Sequence, residues 1–366
     1  MKTSSQALLA LVRRNWLPLA AGGGVALGAL LGGFFFFSHP SVGSSLPGEH
    51  SEATTIAAPA MPDGYVRRLS DGVPVPPEQQ AKQWFAVMVE NSAEAWPLSG
   101  LSAARLVIEA PVEGTIPRLS VYFDDTQVDV KKIGPVRSVR PYYLDWAAGF
   151  NAMLAHVGGS PEALSLVDTR GSVTLNEFFW GRFFWRSLDR YAPHNVYTSV
   201  GMLTQGFAAR GYEVKDPVPT FTYTDGEPAV DARPSGQTIS IPFSSMTSDY
   251  DAGWVYDRDS NAYLRKQGDD ESSDAEGHRI VARNVVVLYM NVTVIDDVGR
   301  RAIKTTGQGD ATLFRDGQAF HIVWKKDRVS DPLRFETKGG DSVAFNSGTT
   351  WLEIVPLSTS VTVSPQ

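Results

Sequence analysis

Residues 153–167, MLAHVGGSPEALSLV, read in order as a buried strand, a glycine turn and a helix. Met153–Val157 is a short apolar run of strand length. Gly158 and Gly159 let the chain turn, Ser160 supplies a side-chain cap, and Pro161 stands at the first helical position, where its missing N–H is no loss. The same alternation continues to either side. Trp84–Val89 (WFAVMV), Leu106–Ile108 and Leu119–Phe123 read as strands, Pro141–Phe150 as a helix, and Val200–Arg210 as a helix that Gly211 stops. Alternating strands and helices predict an α/β domain over 65–213.

After about Val214 the helical period is lost. Turn signals at Asp225-Gly226, Asp316-Gly317 and Gly339-Gly340 separate β-rich runs such as Thr238–Ile241, Val285–Ile295, Ala319–Trp324 and Trp351–Val355. Residues 214–366 therefore read as a second, mostly antiparallel β domain. The acidic stretch Asp269–Glu276 reads as a mobile loop.

Ahead of both domains lies Trp16–Phe37, WLPLAAGGGVALGALLGGFFFF, an uncharged apolar run. It is long enough to cross a hydrocarbon core of roughly 30 Å as a helix. Lys2, Arg13 and Arg14 precede it, and the next basic residue is Arg67. The positive-inside bias keeps 1–15 in the cytoplasm, makes 16–37 a single-pass transmembrane anchor, and exports the rest behind a flexible linker, 38–64, rich in Ser, Pro, Ala and Gly. Gly24, Gly28 and Gly32 share one face of that helix, a pattern that suits close packing in a homodimer.

Composition removes several function classes. With no cysteine, the chain has no disulfides, thiol nucleophile, Cys-ligated zinc or lipid-modified cysteine. A net charge of −7 and the lack of a long basic run in the exported part make nucleic acid a poor partner. Neither an HExxH nor an EF-hand pattern is present, and no metal or cofactor is expected.

Four constellations could carry chemistry. Arg137 and Arg140 precede the helix start at Pro141; two guanidiniums beside free helical N–H groups suit a phosphate or carboxylate. The competing reading pairs them with Asp124, Asp125 or Asp145 as structural ion pairs. His156-Val157-Gly158-Gly159-Ser160-Pro161 can present backbone N–H groups to an anion, though it is neither a P-loop nor a nucleophile elbow. His194 and Asn195, just before the cap of the Val200 helix, can face a cleft. Glu90, Glu109 and Glu113 form an acidic set; Glu109 or Glu113 with His194 is the acid–base pair a hydrolase or transferase would need. The aromatic cluster Phe178–Trp180 and Phe183–Trp185 reads as core, with a ligand wall as the alternative.

Several motifs in order resemble the YerB-like family: Pro97–Ser102 (PLSGLS), Glu109–Gly114 (EAPVEG), Ile133–Arg140 (IGPVRSVR), Gly158–Pro161 (GGSP) and Pro193–Asn195 (PHN). The later stretches 284–288, 307–309, 324–326 and 348–355 are similar to its C-terminal β domain. The resemblance covers roughly 84–356. It implies two domains in a bacterial envelope protein, often a lipoprotein, and it implies no reaction. The lipid-bearing cysteine usual in the family is absent here, and an apolar run stands in its place. Thr115-Ile116-Pro117-Arg118 departs from the more usual Gly-Ile-Thr-Arg, with Arg118 kept.

The expectation is a membrane-anchored envelope protein that holds an anionic ligand, such as a cell-wall or glycopolymer precursor, through Arg118, Arg137, Arg140, His156, Gly158, Gly159, Ser160 and Asn195. The rivals are an envelope hydrolase or glycopolymer transferase using Glu109, Glu113 and His194, and a non-catalytic scaffold.

Overall fold

The structure, a computed structural model, describes residues 61–213, 221–244 and 246–365. The expectations for 1–15, for the apolar run 16–37 with Gly24, Gly28 and Gly32, and for most of the linker lie outside the described residues. Among the described residues no helix is long and apolar enough to cross a membrane.

Strands dominate and helices are few. In chain order the elements that matter are β1 (Trp84–Val89), β2 (Leu106–Pro111), β3 (Pro117–Asp124), α1 (Pro141–Gly149), β4 (Met153–His156), α2 (Pro161–Arg170), β5 (Thr174–Asn176), α3 (Glu177–Trp180) and α4 (Val200–Ala209). They continue with β6 (Gln237–Ile241), β7 (Ala252–Asp257), β8 (Ala262–Gln267), β9 (Asp270–Glu271), β10 (Asn284–Met290), β11 (Gly307–Arg315), β12 (Gln318–Lys326), β13 (Arg334–Glu336), β14 (Thr350–Pro356) and β15 (Thr362–Pro365).

Ten of these strands form one mixed sheet in the order β13-β12-β11-β10-β14-β2-β3-β1-β4-β5. Parallel pairs β10–β14 and β14–β2 lie at its centre, flanked by antiparallel neighbours. Sequence segments on both sides of residue 213 thus contribute to a single sheet, where two separately layered units were expected. Central parallel strands are covered on both faces and read as continuous apolar runs. Val285–Leu288 fits that: every side chain in it is fully buried.

Alternation along each strand separates two cores. Val107, Val285, Val287 and Trp351 face a second, all-antiparallel sheet, β9-β8-β7-β6-β15, and pack with its Ile239, Ile241 and Trp254 and with Phe207 of α4. Leu106, Ile108, Val286 and Leu352 face the other way, toward Tyr142, Tyr143 and Trp146 of α1. The helix starts follow the predicted chemistry: Ser160 accepts from Ala163 N, Ser199 from Met202 N, and Pro141 and Pro161 stand at the first turns.

Two expectations need correction. Asp269–Glu276 is tied down, because Asp270–Glu271 pairs with β8 and Asp274 is buried against the backbone of His278. Within the aromatic cluster, Phe183 and Phe184 are core, but Phe178 and Phe179 are 66% and 82% exposed. They lie on α3, a single short turn that turns only part of its surface inward.

Candidate functional site

Residues 133–139 run across the ends of the sheet strands and bring the sequence motifs together. Val136 N donates to Val196 O (2.7 Å), Arg137 N to Met88 O (2.8 Å) and Val139 N to Gly158 O (3.2 Å). IGPVRSVR is thereby laced to β1, to the turn after β4 and to the segment following His194. Gly134 must be glycine: its φ is +144°, and a Cβ there would lie 2.8 Å from Val196 O.

On this crossing segment the arginines divide into two groups. Arg137 Nε lies 3.2 Å from Glu90 Oε1. The same carboxylate receives Ser92 Oγ (3.0 Å) and His194 Nδ1 (2.9 Å). Arg140 forks onto Glu113, Nε to Oε1 at 2.7 Å and Nη2 to Oε2 at 2.6 Å. The ion-pair reading therefore finds partners, but they are Glu90 and Glu113. Asp124 is held by Arg105, Asp145 by Arg170, and Asp125 by the backbone of Lys82.

Arg118 is the exception. Its Nη1 donates to Ser138 O (2.9 Å) and Ser138 Oγ (3.1 Å), and Arg140 Nη1 donates to that same hydroxyl at 2.9 Å. Among the described residues, no carboxylate forms an ion pair with Arg118. Burial, and then the neighbouring charge of Arg140, pull its guanidinium down to about 10. Burial raises Glu113, but the hydrogen bonds and charge of Arg140 outweigh it and leave the carboxyl below its usual range. Arg301 acts on the same neighbourhood. The hydroxyl of Tyr142 feels Arg118, Arg140, Glu113 and Arg301 together, and Arg301 also forms no ion pair among the described residues.

The glycine turn is built differently from an anion nest. Gly158 N donates to Asn176 Oδ1 (3.0 Å), Ser160 N to Val139 O (3.2 Å), and Ser160 Oγ caps α2. Gly158 has φ +59°, and a Cβ on Gly159 would meet Val139 at 2.9 Å. Two of the predicted anion donors are thus used inside the fold, since the turn must hold the crossing segment. His156 is fully buried with Nδ1 2.7 Å from Gly158 O, while Nε2 has no partner. Burial lowers its pKa to about 4, so it is neutral at pH 7. Asn195 accepts from Arg186 Nη1 (3.1 Å) and donates to Ser187 O (3.2 Å), holding its own loop.

The acidic set is dispersed. Glu113 belongs to Arg140 and His194 to Glu90, while Glu109 lies on the opposite face of the sheet, fully buried. Its Oε2 pairs with Arg265 Nη2 at 2.9 Å and accepts from Trp351 Nε1 at 3.2 Å; Oε1 accepts from Asn91 Nδ2 at 3.1 Å. Glu353, its register partner on β14, accepts from Trp254 Nε1 (2.8 Å) and lies 3.4 Å from Arg265 Nη1. The guanidinium lies over the rings of Trp254 and Trp351, 5.3 and 4.7 Å from their centroids. Burial raises both carboxyls, Glu353 well above its usual range because Glu109 repels it as well. Among the described residues no group of acidic or histidine side chains is arranged to hold a metal.

Sequence reading missed Ser138, Arg265, Arg301 and Glu353. Glu353 had a visible signal: it interrupts TWLEIVP as Glu109 interrupts LVIEAP, each a charge inside an apolar strand.

Comparison with known proteins gives the family. Residues 71–213 match the model described as "Protein of unknown function (DUF3048) N-terminal domain", and 239–352 match the corresponding C-terminal domain. The chain is 30% identical over 275 residues to "Putative lipoprotein YerB" of Bacillus subtilis (strain 168), covering 74% of this chain and 80% of that protein. This chain belongs to the DUF3048 family. The crystal structure of the YerB protein from Bacillus subtilis superposes with a TM-score of 0.73 at 27% identity, covering 82% of this chain and 99% of that one. Both DUF3048 segments contribute strands to the ten-stranded sheet.

Proposed function

We propose that the chain is an envelope protein, anchored through residues 16–37 with its folded part outside the cytoplasmic membrane, and that it binds an anion at Arg118, Ser138 and Arg140. Its relative is described as a lipoprotein. This chain has no cysteine to carry a lipid, so the apolar run 16–37 is the feature that supports attachment. Candidate ligands are phosphate- or carboxylate-bearing precursors of the wall or of its glycopolymers.

The observation that carries the binding reading is the unpaired guanidinium of Arg118. It is half-buried beside a second guanidinium on one shared hydroxyl, with Glu113 as the nearby carboxylate. Holding like charges together out of water is unfavourable, and such arrangements favour an incoming anion. Arg140 and Ser138 then act as positioning donors, and Arg301 adds long-range attraction.

The test uses the full chain in detergent, titrated with inorganic phosphate and pyrophosphate and followed by thermal unfolding. A ligand at a hundred times its dissociation constant adds about 2.7 kcal/mol of stability. Arg118→Met is expected to weaken binding at least tenfold while the protein stays folded. Equal affinity in the variant would place the anion elsewhere.

A further inference from the structure

On the opposite face of the sheet from Arg118, a cavity of about 270 Å³ opens between the loop around Trp96 and the β8–β9 hairpin. About 150 Å³ is enough to accept a benzene ring. Its walls are Trp96, Leu98, Leu101, Leu119 and Ile280.

The side-chain amides of its floor are already hydrogen-bonded within the fold. Asn91 Oδ1 accepts from Trp96 Nε1 (2.9 Å), and its Nδ2 donates to Glu109 (3.1 Å). Gln267 Oε1 accepts from Arg265 Nη2 (3.0 Å), and its Nε2 donates to Asp249 O (2.9 Å). A ligand rich in hydrogen-bonding groups would find those partners taken, so the interior suits an apolar body. The floor also carries no net positive pull, because Arg265 is matched by Glu109 and Glu353. At the mouth stand Asp270, exposed and without an ion pair among the described residues, and Glu271, 3.7 Å from Arg279. The mouth therefore favours a cation.

We propose that this cavity binds a small organic amine with an aliphatic or aromatic body, the apolar part between Trp96 and Ile280 and the ammonium group at Asp270. This site is separate from the anion ridge and does not depend on it.

The test uses the full chain in zwitterionic lipid nanodiscs with n-propyl-, n-butyl- and n-hexylamine, hexanol and hexanoate, read by calorimetry. Affinity is expected to rise about fourfold for each added methylene, with hexanoate at least tenfold weaker than hexylamine. Asp270→Lys should abolish the preference for amine over hexanoate and leave hexanol unchanged. Ser272→Trp, which fills the cavity from its rim, should remove binding of hexylamine and hexanol together, with an unchanged circular dichroism spectrum and a cooperative thermal transition reporting that the variant is folded. Affinity independent of chain length, hexanoate binding as tightly as hexylamine, an unaltered Asp270→Lys, or a folded Ser272→Trp that still binds would each overturn the proposal. The chain-length series and Asp270→Lys decide the matter even if Ser272→Trp fails to fold.

Discussion

Replacing Arg265 by Met removes the one positive charge that lies between two fully buried carboxyls. The substitution keeps an apolar stem of similar reach but loses the pair to Glu109 at 2.9 Å and the contact with Glu353 at 3.4 Å. Breaking a buried pair from one side costs about 3–5 kcal/mol. Burial already raises the Glu109 carboxyl, and without the Arg265 charge it is pushed further toward the neutral form in the folded state, while the unfolded chain ionises it freely. The sign follows from proton counts: the folded variant then binds more protons than the unfolded one, so its deficit grows as pH rises. Urea unfolding of the unmutated protein and Arg265→Met at pH 5 and pH 7 should show a deficit of about 3–5 kcal/mol at pH 7 that is smaller at pH 5. Adding Glu109→Gln should recover most of the loss at pH 7. A deficit under about 1 kcal/mol at pH 7, or one that is the same at both pH values, would refute the idea of a charge-matched triad.

Other outcomes follow from the same geometry. His156, lowered to about 4 by burial, makes the folded state reluctant to take a proton that the unfolded chain accepts near 6.5; stability should therefore fall as pH drops from 6.5 to 4. The loss is about 3 kcal/mol, and His156→Gln should flatten that part of the profile in urea melts. Glu113→Gln frees Arg140 to act beside the unpaired Arg118 at Ser138, so phosphate affinity should rise several-fold and depend more steeply on salt, measured by calorimetry at two ionic strengths. Gly158→Ala places a Cβ at φ +59° and 2.9 Å from the Phe178 ring; a loss of about 1–2 kcal/mol is expected in thermal unfolding, part of it recovered by Phe178→Ala.

Local structure was largely legible in the chain, and pairing was not. Trp84–Val89, Pro141–Gly149 and the Ser160-Pro161 helix start were marked by apolar runs and by cap chemistry, which act over a few residues. That Thr350–Pro356 inserts between Asn284–Met290 and Leu106–Pro111 has no local signature, because strands buried on both faces show no period to identify a neighbour. The candidate site shows the same limit. Arg137 and Arg140 were recognisable as a paired motif, and Glu90 and Glu113 as acids, but only the crossing of residues 133–139 matches each base to its acid. Arg118 was singled out, yet its want of a carboxylate could not be read from spacing. Arg265 lies 156 positions after Glu109 and 88 before Glu353, a meeting that depends on the second sheet closing over the first. Phe178 and Phe179 were misread because an aromatic run resembles core whichever way its short helix faces.

The placement of β14 also bears on how the chain is made. A ribosome delivers residue 106 well before residue 350, and at roughly 5–20 residues per second the interval is about ten to fifty seconds. Throughout that time the backbone of β2 has an open flank that only the last major strand can close, and β10 waits for the same partner. The nascent first half is therefore a sticky intermediate, prone to pair with another copy of itself. With folding on the far side of the membrane, that flank stays open until the last segment has crossed, and yield should depend more on how soon β14 follows β2 than on the equilibrium stability of the finished molecule.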